Sequence, residues 1–196
     1  MFANRFTAFI DACTLAGVLR RNLLLSLAEA EFFRVRWSPV VMEETQKAIE
    51  KMLVSRGDDE APAKALRHRL AMEAAFEDAM VTDFDSFLAA CRNLPDPKDV
   101  HVVAAAMKTR AHTIVTENLT DFPAEILAPL GLEARSADAF IADTIALDMG
   151  RAVAVVRRMR ERFKRPEKTA DILLLEMEAA GLTETVDILK PHALSL

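Results

Sequence analysis

Residues 7–11 read Thr7-Ala8-Phe9-Ile10-Asp11, a short apolar run closed by an acid. The run is too short for a helix and reads as a buried first strand. From Cys13 to Glu31, Leu15, Val18, Leu19, Leu23 and Leu27 recur at helical spacing and predict a helix. Phe33 to Trp37 reads as a second strand. Ser38-Pro39 then supplies an N-cap hydroxyl and a proline at the first helical position. The helix that follows runs through Val41, Glu44, Ala48 and Met52 to about Ser55.

Beyond a polar loop (RGDDEAP), Ala61 to Ala79 and Asp83 to Arg92 read as helices. Pro97 opens a small-residue helix, KDVHVVAAAMKTRA, and Thr113 to Thr116 (TIVT) is a third buried strand. Glu133 to Arg135 predicts a short final strand. Short apolar strands alternating with helices specify an α/β fold whose parallel sheet is covered on both faces. From Ser136 onward the pattern is helical, with breaks at Gly150, Lys164 to Pro166, and Gly181. Two domains are therefore expected, 1–135 and 136–196. Arg157, Arg158, Arg160, Arg162, Lys164 and Arg165 form a basic cluster in the second.

The composition bounds the function. Of 196 residues, 52% are hydrophobic and 28% charged, enough to bury a core. The longest apolar runs, such as Val102 to Met107, are far too short to span a bilayer. An arginine and then an acid interrupt the apolar N-terminus, which does not suit a secretory leader, so a cytoplasmic protein is expected. Cys13 and Cys91 stand in no metal-binding spacing and are expected to be reduced and buried. The net charge of −5 excludes a global basic field for coating nucleic acid. Phosphate-cradling glycine loops and a GxSxG nucleophile are also absent from the sequence.

In a parallel sheet, sites form beyond the carboxyl ends of the strands at the topological switch point. Asp11 closes the first strand. Thr116 closes the third, with Glu117, Asn118 and Asp121 just after it. Asp99 begins the helix before that strand, and Glu44 lies one to two turns into the helix after the second. Acids distant in sequence are thus expected to converge. Such a set, without thiolate or imidazole ligands, suits hard cations such as Mg2+ or Mn2+. Each acid also has a structural alternative. Asp11 could cap the next helix, Asp96 and Asp99 could serve the turn around Pro97, Asp121 could cap a short helix at Phe122-Pro123, and Glu43 could pair with Lys47. His101, two residues from Asp99, is expected to pack or cap.

Four stretches together, FIDACTL, WSPVVMEET, LPDPKDVHVVAAAM and IVTENLTDFP, resemble the signature segments of PIN-domain nucleases. Within that family they are most similar to the VapC-like toxins of bacterial toxin–antitoxin pairs. The resemblance covers about residues 1–135. It implies a PIN-like three-layer α/β/α fold with a central parallel sheet of four or five short strands. It also implies a Mg2+- or Mn2+-dependent endoribonuclease. Asp11, Glu44 and Asp99 match the metal-holding acids, with Glu43 as a competitor for Glu44 and Asp96 as an additional acid. At the fourth position Asn118 stands where many relatives carry aspartate, leaving Asn118 or Asp121 as the ligand, with Thr116 beside them.

The all-helical extension, 136–196, resembles one carried by a branch of the VapC-like proteins. It is expected to bind the cognate antitoxin or a second subunit, as in a homodimer, or to pack on its own domain. RNA phosphates would meet Lys47 and Lys51, on the same helix side as Glu44, with Arg20, Arg21 and Lys98 as further candidates. The alternatives are an RNA-maturation enzyme and a non-catalytic PIN protein that acts by binding a partner.

Overall fold

The apolar run ending at Asp11 is the strand β1 (Thr7–Ile10) of a computed structural model that describes residues 6–91, 93–164 and 166–196. There follow α1 (Ala12–Ala16), α2 (Val18–Glu29), β2 (Arg34–Arg36), α3 (Pro39–Ser55), α4 (Ala61–Ala75) and α5 (Val100–Lys108). Next come β3 (Thr113–Val115), α6 (Ala124–Leu127) and β4 (Glu133–Arg135). The last stretch holds α7 (Ala137–Leu147), α8 (Met149–Glu161), α9 (Ala170–Ala179) and α10 (Thr183–Leu189). Single 3-10 turns cover Glu77–Ala79, Pro97–Asp99 and Leu119–Asp121, and a longer 3-10 helix covers Asp85–Cys91. The ends of two predicted features, Arg92 and Arg165, lie outside the described residues.

The strands form one parallel sheet in the order β2-β1-β3-β4. All four residues of β1 and all three of β3 are buried, as expected for central strands covered on both faces. The chain moves from β1 to one side for β2, then returns past β1 for β3. The switch point therefore lies between β1 and β3, at the ends that carry Asp11 and Thr116. Ser38 caps α3 as its sequence predicts, accepting from the Val41 amide at 3.2 Å.

The chain divides into two compact units. One runs through Gly17 and resumes from Phe33 to Arg135; the other joins Val18–Phe32 to Ser136–Leu196. In the first, α5 lies on β1 and β3 and buries Val102 to Ala106, while α1 packs on α3 and α3 on α4. In the second, α2 packs on α7 and α8, and α10 on α7 and α9.

Several details depart from the sequence reading. The helix expected over Cys13–Glu31 is two helices parted at Gly17, whose backbone is extended. Its second half, α2, belongs with the C-terminal helices, because it buries Leu23, Leu24 and Leu27 there. The break expected at Gly150 falls at Asp148, whose carboxylate caps α8 by accepting from the Arg151 amide at 3.1 Å. At Gly181, with φ of +80°, α9 ends as foreseen. There the Leu182 amide donates to the Met177 carbonyl and the Gly181 amide to that of Glu178, a Schellman closure that needs the left-handed residue. Among the described residues no helix is long and apolar enough to cross a membrane.

Candidate active site

Asp11 is the first residue beyond β1, and its amide still bonds the sheet, donating to the Val115 carbonyl at 3.0 Å. Its side chain is nearly buried, 6% exposed, and three groups hold it. The Ala12 amide donates to Oδ1 at 2.7 Å, Thr116 Oγ1 to Oδ2 at 2.8 Å, and Cys13 Sγ to Oδ2 at 3.1 Å. The capping role and the site role thus coincide: one oxygen receives the start of α1, while the other faces the end of β3. Thr116, buried, is braced in turn, since its Oγ1 accepts from the Asn118 amide at 3.1 Å. Thr116 therefore supports Asp11.

Cys13 is the part that sequence reasoning missed. It is only half-buried, and besides Asp11 its sulfur accepts from the Glu117 amide at 3.3 Å and lies 3.4 Å from Thr116 Oγ1. Burial, reinforced by the Asp11 charge, pushes its thiol up to about 11. It stays protonated at neutral pH and acts here as a donor. Its position two residues after Asp11, at the start of α1, was the available signal.

Asp99 closes the 3-10 turn begun at Pro97 and leads into α5. Asp96 caps that turn, accepting from the Lys98 amide at 2.9 Å. The Asp99 carboxyl is pushed up to about 6, first by burial and then by the charges of Asp11, Asp96, Asp121 and Glu44. The acids foreseen on separate elements thus meet in one field, and all of them are negative. Asp121, half-buried in the 3-10 turn Leu119–Asp121, belongs to this field. Asn118 is exposed and makes no side-chain cap. Glu44, in the second turn of α3, joins the group, while its neighbour Glu43 is exposed.

The basic candidates divide. Lys47, Lys51 and Lys98 are exposed and lie on the elements that carry Glu44 and Asp99. Arg20 and Arg21 do not fit the role expected of them. Arg20 donates to the Ala180 carbonyl at 2.7 Å, and Arg21 is 5% exposed, its pKa lowered by burial. Both belong to the other unit, where Arg21 is buried and Arg20 half-buried.

The carboxylates share a field without forming a tight cage. Among the described residues, no three histidine, cysteine, aspartate or glutamate side chains are grouped closely enough to grip one ion by themselves. The available donors are oxygens, since the one thiol at the site remains protonated. A carboxyl with raised proton affinity amid other acids, as Asp99 is, is what a divalent cation would relieve.

Comparison with known proteins defines the class. The PIN domain family model matches residues 7–120, and the chain belongs to the PIN-domain family. Residues 137–191 match a second model, the VapC50 C-terminal domain. Over 96 residues the chain is 35% identical to the protein named "Putative ribonuclease VapC50" of Mycobacterium tuberculosis, a match covering 49% of this chain and 56% of that protein. No solved structure gives a significant match.

Proposed function

We propose that this protein is a metal-dependent endoribonuclease that hydrolyses RNA phosphodiester bonds, and the toxin of a toxin–antitoxin pair. The observation that supports the nuclease reading is Asp11, just beyond β1, accepting from Thr116 Oγ1 at the end of β3 at 2.8 Å, with Asp99 in the negative field of Asp11, Asp96, Asp121 and Glu44. The PIN-domain match and the relative's name support the same reading. Asp11, Glu44 and Asp99 are the proposed holders of Mg2+ or Mn2+, with Asp121, or Asn118 through its amide, completing the site. When bound, the cation would lower the pKa of its water and stabilise the charge that develops on the phosphate. The chain's own task is placement. Thr116, Cys13 and the Ala12 amide fix the Asp11 carboxylate, while Lys47, Lys51 and Lys98 are placed to meet RNA phosphates.

The toxin reading adds a cytoplasmic setting and a cognate antitoxin as protein partner, with a homodimer as the working assembly. It rests on the match of the C-terminal unit to the VapC50 model. The deciding experiment is RNA cleavage with Mg2+ or Mn2+ by the wild type, Asp11→Asn and Asp99→Asn. Both variants are expected to be inactive, and equal cleavage by all three would remove the proposed site. Growth arrest on expression, relieved by the same variants, separates a toxin from an RNA-maturation enzyme.

A further inference from the structure

Asp11 and Glu44 are held in very different ways. Asp11 is buried and receives three hydrogen bonds. Glu44 projects from the face of α3 with its side chain 43% exposed, and among the described residues the Nε2 of His101 lies 3.5 Å from its Oε1. A glutamate carries more rotatable bonds than an aspartate, and rotor freedom must be lost before it can serve in a fixed site. Something has to restrain it, and His101 is the group in reach.

The imidazole is suited to this. It sits near the start of α5, beside the buried run Val102 to Ala106, with only 15% of its side chain exposed. Its Nδ1 is buried without a hydrogen-bond partner. A buried unpaired N–H is costlier than an unpaired acceptor that can take a water or remain empty, so a proton on Nε2, toward Glu44, strands less than one on Nδ1 alone. A valine, as at neighbouring positions of this helix, would pack without stranding a nitrogen. The imidazole therefore answers to the carboxylate more than to packing.

We propose that His101 is a positioning residue, whose Nε2 holds the Glu44 carboxylate toward the acidic cluster. The proposal rests on the metal-dependent reading above. It goes beyond the expectation that His101, two residues after Asp99, packs or caps. A side chain two positions along does turn away from Asp99, but in doing so it reaches α3, which a single-helix projection leaves out.

The test is Mn2+ binding to the full-length chain, measured by calorimetry, together with cleavage kinetics across a Mn2+ titration. His101→Leu and His101→Phe remove the donor, and two shapes are used in case one fails to fold. His101→Gln keeps an N–H donor. The apolar variants are expected to bind Mn2+ about 10–100-fold more weakly, with cleavage largely recovered at saturating Mn2+, and His101→Gln to stay within a few-fold of wild type. In a Glu44→Gln background His101→Leu is expected to cause no further loss of affinity. Wild-type Mn2+ affinity in folded His101→Leu or His101→Phe, with affinity lost in Glu44→Gln, would overturn the positioning role alone. Wild-type affinity in Glu44→Gln as well would overturn the proposed site, and the role of His101 with it.

Discussion

The acids around Asp99 and the arginines of α8 are both dense clusters of like charge, yet the chain treats them in opposite ways. On α8 nearly every arginine is given a local partner. Arg151 stacks 5.0 Å over the Phe32 ring and donates to the Ala30 carbonyl, Arg157 pairs with Glu161 at 3.0 Å, and Arg162 pairs with Glu29 at 2.8 Å. Arg160 donates to the Lys168 carbonyl at 2.7 Å. At Asp99 the surrounding charges are Asp11, Asp96, Asp121 and Glu44, every one of the same sign. Charge that is neutralised where it stands belongs to the scaffold. Charge left crowded and uncompensated is tension the fold tolerates for another purpose.

The largest expected effect separates the two clusters directly. Asp99→Asn removes one charge from the crowded side. RNA cleavage should fall on the order of 10³-fold, as the loss of several kcal/mol of metal-mediated stabilisation implies. Metal-free thermal stability at pH 8 should rise, because a repelled carboxylate is gone. Activity and stability moving in opposite directions is the mark of a functional cluster. A fall in both would place Asp99 with the structural acids.

A structural acid behaves differently, and Asp138 is the example. From α7 it caps α10, its Oδ2 accepting from the Glu184 amide at 2.8 Å and its Oδ1 from the Thr185 amide at 2.9 Å. Asp138→Ala should lower stability by about 1–2 kcal/mol, the usual cost of a lost N-cap, read as a shifted urea midpoint. Mn2+-dependent cleavage at saturating metal should be unchanged where the chain remains folded.

The contrast also has a pH signature. Asp99 has a folded-state pKa of about 6 against the ordinary 3.8, so the folded chain binds its proton more tightly than the unfolded chain. Its contribution to stability is fully present below pH 3.8 and is lost as pH rises through 6. Metal-free unfolding midpoints should therefore drift downward across that window, and Asp99→Asn should flatten the drift. Added Mg2+ should oppose it, because the cation favours the ionised form. An identical slope in wild type and variant would show that the charges do not meet.

The frame of the fold was legible in the sequence because local signals agreed with each other. TAFID and TIVT are too short and apolar for anything but buried strands, and Ser38-Pro39 marks the start of α3. The placement of Asp11 and Thr116 at neighbouring strand ends was also legible, since it follows from parallel topology. What escaped was tertiary. Nothing between Val18 and Phe32 says that its apolar face meets α7 and α8 instead of the sheet's own unit. Asp148 superseded Gly150 as the helix break because its carboxylate caps the start of α8. Residue type reads Cys13 as a buried thiol, and spacing along one helix turns His101 away from Asp99. Their contacts with Asp11, Thr116 and Glu44 join elements that are far apart in sequence.

The smallest expected effect tests the other side of the comparison. If the α8 arginines are scaffold charge, removing an exposed one should matter little. Arg162 and Glu29 leave 60% and 59% of their side chains exposed, so water and salt screen their attraction and ordering two long chains offsets much of it. Arg162→Ala should cost no more than about 0.5–1 kcal/mol, and the difference should shrink in high salt, measured by urea unfolding at two ionic strengths. Arg160 should cost more. Its side chain is 21% exposed, and its Nη1 bond to Lys168 ties the end of α8 to the segment before α9. A salt-independent loss at Arg160 beside a salt-sensitive one at Arg162 would grade the basic cluster by burial, as expected of structure. A large loss at Arg162 would mean that α8 carries uncompensated charge of its own, and the contrast with Asp99 would no longer hold.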